Sequence, residues 1–385
     1  MTTQAVPPTT NRLEHFPVTF FAVIMGMSGL TLALHAAQHA FDLADTIPLL
    51  GLLLTLVLFA AVSALYIAKA IRYPAAVMGE WKHPVRLAFF PAISVSILLL
   101  ATALLGYDRA IAHTLWLIGA LMQLVLTIAI VSGWIGSRSF LHATLSPAWF
   151  IPAVGNVIVP IAGAQLGYIE LSWFFMSAGL LFWIILLTLV INRLIFHDPL
   201  PGKLQPTLVI LIAPPAVAFM AWLNLVGELD AMARMLINAA YLFTLIVLVQ
   251  LPAILRLPFA MSFWALSFPI AAVSIASFRY SAETGSQPHL WIALTLLIAL
   301  IVTIAALLGR TLKAIVNGTI CLPESPPPPR HLAKNIRAAG SNTCRTNQPP
   351  ITPPPPADAA HRPSRPSSRC IPETGERYLP RHNAI

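Results

Sequence analysis

Charge is what this sequence has least of. Only 10% of its 385 residues are Asp, Glu, Lys or Arg, against about 25% in a soluble domain. With 57% hydrophobic residues and a mean hydropathy of +0.78, that shortage excludes an ordinary soluble fold and indicates an integral membrane protein. Cysteine is scarce as well. Its three copies, Cys321, Cys344 and Cys370, all follow the last apolar run, so neither a disulfide framework nor a thiolate metal centre supports the apolar part. No cluster of His, Asp or Cys sits at lipid depth, which argues against a membrane-embedded enzyme, a metal centre or a bound cofactor. The pI near 9.9 is explained by basic loops on a membrane protein, and no nucleic-acid partner is expected.

Apolar runs are abundant. They recur from Phe16 to Val316, each of roughly 20 residues and so long enough for one transmembrane helix. We read ten helices, at 16–38, 47–71, 84–106, 110–134, 148–166, 168–194, 205–225, 230–252, 259–281 and 288–316. Nine runs follow the first, so the first is a spanning helix and not a cleaved signal peptide. Assigning alternate connections to opposite sides puts eleven basic residues on one: Arg12, Lys69, Arg72, Lys82, Arg86, Arg138, Arg193, Lys203, Arg256, Arg310 and Lys313. The other side receives three, Arg109, Arg234 and Arg279, alongside seven acids. Lys and Arg concentrate in the cytoplasm, so both termini are expected there. Residues 1–15 then form a short cytoplasmic lead, 16–316 the membrane domain and 317–385 a cytoplasmic tail. From Pro323 the tail carries PESPPPPR, NQPPITPPPP and HRPSRPSSR. Such a composition cannot bury a core and is expected to be disordered or partly polyproline II.

Proline alternates between helices. The odd-numbered ones carry it near or inside the span: Pro17, Pro91, Pro152 with Pro160, Pro214 with Pro215, and Pro269. The even-numbered ones carry it only at their edges or not at all. Inside a helix, proline removes a hydrogen bond and its ring clashes with the carbonyl four residues earlier. In lipid the freed carbonyl is tolerated only where protein or water meets it. An inner ring of odd helices, kinked at Pro17, Pro91, Pro152, Pro214 and Pro269, is therefore expected, with the even helices facing lipid. The motifs recur at intervals of 74, 61, 62 and 55 residues, close to one helical hairpin each. The expected fold is an all-α integral membrane protein of ten transmembrane helices, five hairpins in a quasi-fivefold array around a central pore.

The ninth helix, Ser262–Ser281, reads SFWALSFPIAAVSIASFRYS, with its only strong charge, Arg279, at the far end. A bend at Phe268-Pro269 would free the carbonyl of Ala265 and set an aromatic ring beside the pore. No odd helix carries a charge in its middle. The polar groups there are small, and Ser94, Asn156 and Ser274 are pore-lining candidates. A proton-coupled carrier keeps an intramembrane Asp, Glu or His relay, so the absence of charge favours passive conduction. His35 and His39 stand four residues apart, a spacing able to hold a metal, but no third ligand is near and they read as interfacial residues facing headgroups. Gln123, Asn192 and Gln250 are expected to bond between helices, and Trp173, Trp222 and Trp291 to anchor at the interfaces. Freed carbonyls favour cations, while helix N-termini favour anions. A basic cytoplasmic rim concentrates anions at that mouth.

The ninth-helix string FWALSFPIAAVSIASFRYS resembles the tellurite-resistance/dicarboxylate transporter family, which includes the guard-cell slow anion channels of plants and their bacterial relatives. Further matching strings are FPVTFFAVIMGMSGLTLAL at 16–34, WKHPVRLAFFPAISVS at 81–96, SPAWFIPAVGNVIVPIAG at 146–163 and LVILIAPPAVAFMAWLN at 208–224, followed by GELD at 227–230. The resemblance covers about residues 12–316 and leaves the tail without a counterpart. It implies ten helices in five hairpins, a pore lined by the inner five, a homotrimer with one pore per subunit, and a pore-plugging phenylalanine that matches Phe268. It also implies, at Gly26, a small residue giving room to that ring. The phosphorylation control of the plant branch rests on a long N-terminal extension and is not implied. The function this implies is a passive channel or uniporter of the plasma membrane, or of the inner membrane if the source is bacterial. Its substrates would be small inorganic or carboxylate anions such as chloride or nitrate. The alternative is a secondary carrier for C4-dicarboxylates or an oxyanion such as tellurite or sulfite.

Overall fold

Proline organises the inner spans, but at their beginnings and not in their middles. The structure, a computed structural model, describes residues 11–136 and 144–321; residues 1–10 and the tail from 322 lie outside the described residues. A 3-10 turn, Val18–Phe20, leads into α1 (Phe21–Phe41), which turns back as α2 (Thr46–Arg72). A short helix, α3 (Pro74–Lys82), comes next, then a 3-10 turn at Arg86–Phe89, α4 (Pro91–Leu104) and α5 (Arg109–Gly136). Pro147–Trp149 opens α6 (Phe150–Leu166), followed by α7 (Ile169–Phe196). The 3-10 stretch Gly202–Ile212 opens α8 (Ala213–Val226), followed by α9 (Ala231–Leu255). Met261–Leu266 opens α10 (Ser267–Thr284), and α11 (Gln287–Val316) ends the membrane unit. The loop expected before residue 84 thus holds a helix, α3, that the hydropathy pattern did not mark.

The kinks expected at the five prolines are corrected accordingly. Pro17 caps the 3-10 turn before α1, Pro91 is the first residue of α4, and Pro214 is the second of α8. Pro152 and Pro269 are the third residues of α6 and α10. The first four N–H groups of a helix have no partner within it, so proline there sacrifices no bond. Its ring disfavours α geometry just before it, and each inner span carries a 3-10 stretch within a few residues of the proline: after Pro17 in the first span, and with one or two residues between the stretch and the proline in the other four. Ala265, whose carbonyl a mid-helix kink would have freed, lies inside one of these 3-10 stretches. Only Pro160 in α6 and Pro252 in α9 interrupt an α-helix further along.

Burial separates the spans into two classes. In the five odd spans 72 to 83% of the central residues are buried, and in the five even ones 22 to 33%. The helices of the odd spans (first, third, fifth, seventh and ninth) pack in a closed ring, α1 on α4, α4 on α6, α6 on α8, α8 on α10 and α10 back on α1, and those of the even spans are α2, α5, α7, α9 and α11. Each even helix packs on the inner helix that precedes it: α2 on α1, α5 on α4, α7 on α6, α9 on α8 and α11 on α10. Five hairpins result. The outer helices expose long apolar side chains such as Val57, Leu121, Ile184, Val249 and Val302, a surface that only lipid or another apolar partner can cover.

Candidate functional site

The inner ring leaves space on both sides of a single aromatic ring. Toward the C-terminal ends of the inner helices lies a cavity of about 680 Å³, reached by residues of all five, including Thr31, Thr102, Ile161, Asn224 and Ile275. Toward their N-terminal ends lies a pocket of about 30 Å³ walled by Ala22, Met25, Phe89, Val154, Ile210 and Trp264. The first has ample room for water and, in Thr31, Thr102, Gln165 and Asn224, polar groups to meet it, whereas the second has room for a water or two and offers them no partners. Among the described residues Phe268 alone borders both. Its side chain is buried, at 6% exposure.

The glycine beside that ring is not the one expected. A methyl on Gly29 would stand 3.5 Å from Phe268 Cδ2, whereas one on Gly26 would press on Ser267 and come within 3.3 Å of Trp264. Both glycines therefore close the α1–α10 contact, Gly26 against Ser267 and Gly29 against Ala271, whose Cβ a methyl would meet at 2.8 Å, with the Phe268 ring alongside at ordinary contact distance.

The polar pore-lining candidates are corrected as well. Ser94 Oγ donates to Gln123 Oε1 at 2.7 Å, and Asn156 Nδ2 donates to Thr127 Oγ1 at 3.1 Å, both on α5. Ser274 Oγ donates to the carbonyl of Ala293 on α11 at 3.0 Å. All three are buried and bond to the surrounding helices, and none is among the residues bordering either of these two cavities. The reason is general: a hydroxyl or amide inside an apolar wall goes where a partner is. Gln123 bonds between helices as expected and also donates to the Pro152 carbonyl at 2.9 Å. Asn192 and Gln250 do not, being exposed on the outer faces of α7 and α9. Of the tryptophans, Trp291 is exposed, while Trp222 stacks edge-on against Trp173 and donates to Asp230 Oδ1 at 3.0 Å.

His35 and His39 border the wide cavity, His35 half-buried and His39 exposed at its mouth, with ring centroids 4.5 Å apart. Two of the three basic residues on this acid-rich side, Arg109 and Arg279, border it too, and no carboxylate does. The third, Arg234, is held by the Tyr280 hydroxyl at 3.1 Å. The acids lie elsewhere: Glu283 pairs with Arg279 at 2.8 Å, and Asp45 accepts from Tyr107 at 2.8 Å. The charged side chains that border the wide mouth are thus basic, Arg279 with its charge met by Glu283 and Arg109 bonded to the Gln165 carbonyl, on a side whose sequence is acidic.

One buried network escaped the sequence reading. Lys69 Nζ lies 3.1 Å from Glu80 Oε2, both side chains at 2% exposure, and donates to the carbonyl of Phe16 at 2.8 Å. Glu80 also accepts from the Tyr66 hydroxyl at 3.0 Å and from the Val18 N–H at 3.3 Å. Together these clamp the backbone on either side of Pro17, where the first inner span begins. The available signal was Glu80 itself, the single acid among Lys69, Arg72, Lys82 and Arg86.

Ten apolar spans, with an inner ring around cavities parted by one side chain, define a multi-pass membrane transport protein. Comparison narrows the class. Residues 15–312 match the SLAC1 family, described as voltage-dependent anion channel, and the chain belongs to that family of anion channels and transporters. It is 31% identical over 313 residues to S-type anion channel SLAH2 of Arabidopsis thaliana, covering 78% of this chain and 59% of that one. It is 27% identical over 294 residues to guard cell S-type anion channel SLAC1 of the same plant, with coverage of 74% and 53%. To the tellurite resistance protein TehA homolog of Haemophilus influenzae it is 28% identical over 271 residues, with coverage of 69% and 82%. The chain therefore spans little more than half the length of the two plant relatives.

Proposed function

We propose that this protein is a passive channel or uniporter for small anions, with Phe268 as its gate. The observation that carries the reading is the position of Phe268 between a wet cavity and a narrow apolar pocket. An aromatic ring across an apolar constriction excludes water, and a dewetted constriction stops ions. A ring held off its preferred rotamer costs about 0.5–1.5 kcal/mol, so modest events suffice to move it. The two arginines at the wide mouth supply the sign, since a cationic vestibule with apolar walls raises the local concentration of anions. The chain works in the plasma membrane, or the inner membrane if bacterial, as a homotrimer with one pore per subunit. The N-terminal ends of its inner helices face the cytoplasm. Residues 16–316 form the conducting domain, and deletion of 323–385 leaves the flux intact.

Phe268→Ala, reconstituted in planar bilayers, tests the gate. Removing a barrier of even about 1.4 kcal/mol raises the current about tenfold, and a mutant current equal to wild type refutes the assignment. A second reading, a carrier for dicarboxylates or oxyanions, is favoured by one observation, the titratable pair His35 and His39 inside the cavity. Current without a proton gradient, reversing where the anion gradient dictates, separates the channel from the carrier.

A further inference from the structure

We propose that His35 and His39 form a proton-dependent anion site at the wide end of the cavity, holding a small anion such as chloride or nitrate when both rings are ionised. The inference rests on the channel reading above and adds to it a control: conduction rises as the pH on that side falls.

The geometry begins with spacing. Residues four apart share one helix face, and on α1 this face turns into the cavity. The rings meet edge to face at 4.5 Å. His35 lies deeper, and a methyl placed on Gly106 would stand 3.9 Å from its Nε2. Two imidazolium rings so close repel each other, and an anion between them cancels the repulsion. Protonation and anion binding therefore assist each other by linkage.

The surroundings favour an anion over the commoner partner of paired histidines, a metal ion. On α1 itself the nearest acid is Asp42, beyond the last turn and outside the cavity lining. From the start of α2 comes Asp45, whose carboxylate accepts the Tyr107 hydroxyl. The turn after α4 presents that hydroxyl, which its burial and then the Asp45 carboxylate push up to about 12, so it remains a neutral donor. Arg109 opens α5 and donates to the Gln165 carbonyl at 2.7 Å. From α10 comes Arg279, held by Glu283. No charged or titratable side chain of α11 borders the cavity. Among the described residues the lining therefore carries two guanidinium groups, of which Arg279 is paired with Glu283, two imidazoles, and the amides of Gln165 and Asn224, each with one N–H given to the Ile161 carbonyl; no carboxylate residue is part of it. No group of three or more His, Cys, Asp or Glu suited to a metal ion occurs among the described residues.

The test uses the full chain in bilayers, in the Phe268→Ala background so that the gate does not limit current. Chloride current is recorded while the pH on the wide-cavity side alone goes from 8 to 5.5. Field focusing of this kind changes local ion concentration on the order of tenfold, so a rise of that order is expected, and H35Q/H39Q abolishes it. If current is the same at both pH values, or rises equally in H35Q/H39Q, the proposal is overturned although the channel reading stands. If Phe268→Ala fails to conduct, the channel reading falls and a binding measurement decides the site. Histidine ring resonances in detergent are titrated in sodium chloride and in sodium gluconate at equal ionic strength, with H35Q and H39Q giving the assignment. Both midpoints move upward in chloride if the site exists, and midpoints indifferent to chloride overturn it.

Discussion

Glu80→Gln removes the charge from a carboxylate that holds three elements at once. Its Oε2 faces Lys69 Nζ at 3.1 Å and its Oε1 faces the Val18 N–H at 3.3 Å, while Arg86 approaches only to 3.9 Å and is 30% exposed. A glutamine retains an acceptor for Tyr66 or Val18, so the dominant loss is the ion pair with Lys69. Were that pair on the surface, it would contribute about 0–1 kcal/mol. Both members are buried, and breaking such a pair by removing one partner costs about 3–5 kcal/mol, because the other charge stays behind without compensation. The melting point in detergent, followed by size-exclusion of the surviving fraction, should fall on the order of 10 °C. Lys69→Met should fall comparably. The double variant Lys69→Met/Glu80→Gln should regain much of the loss, since removing both charges leaves no orphan. The reasoning is refuted if either single variant melts within a degree of wild type, or if the double variant's loss equals the sum of the singles.

Gly26→Val should destabilise the α1–α10 contact by about 1–3 kcal/mol, visible as a lower melting point, because its Cβ meets the Ser267 side chain. Gln123→Leu removes the bonds Gln123 makes to Ser94 and to the Pro152 carbonyl, which keep only the Pro91 carbonyl and the Asn156 amide as their partners; it should cost about 0.5–1.5 kcal/mol per lost bond, visible as a lower melting point in detergent. Burial raises the Cys321 thiol above its ordinary range, against the opposing charges of Lys69 and Arg12. A raised pKa means less thiolate at pH 8, so in a Cys344→Ser/Cys370→Ser background maleimide should label Cys321 severalfold more slowly than an exposed cysteine, and faster as the pH rises above 9.

Much of the architecture was legible because lipid enforces it. Apolar runs of spanning length and the eleven-to-three division of basic residues follow from solvation, which acts on each segment separately. The odd and even classes were legible for the same reason, since proline at lipid depth needs a protein or aqueous neighbour. Direction around a helix axis was not. Ser94, Asn156 and Ser274 were read as facing a pore because they are polar, yet their partners Gln123, Thr127 and the Ala293 carbonyl sit on the other side of the helix. Conversely, His35 and His39 at a helix end were read only as interfacial, and both also border the wide cavity. Hydropathy reports depth in the membrane, whereas facing is decided by pairwise packing between segments far apart in sequence. Glu80 illustrates this most sharply, as its partners Val18 and Lys69 lie 62 and 11 residues away. Phe268 was legible only through a short string shared with relatives, since phenylalanine alone is common in apolar helices.

The tightly wound lead-in to each inner span has a consequence for aim. A 3-10 helix advances about 120° and 2.0 Å per residue, an α-helix about 100° and 1.5 Å. Every residue of Met261–Leu266 that changed from one winding to the other would turn whatever follows it by about 20° and shift it by about 0.5 Å. The heading of position 268 is thus a running total kept by the six residues before Ser267.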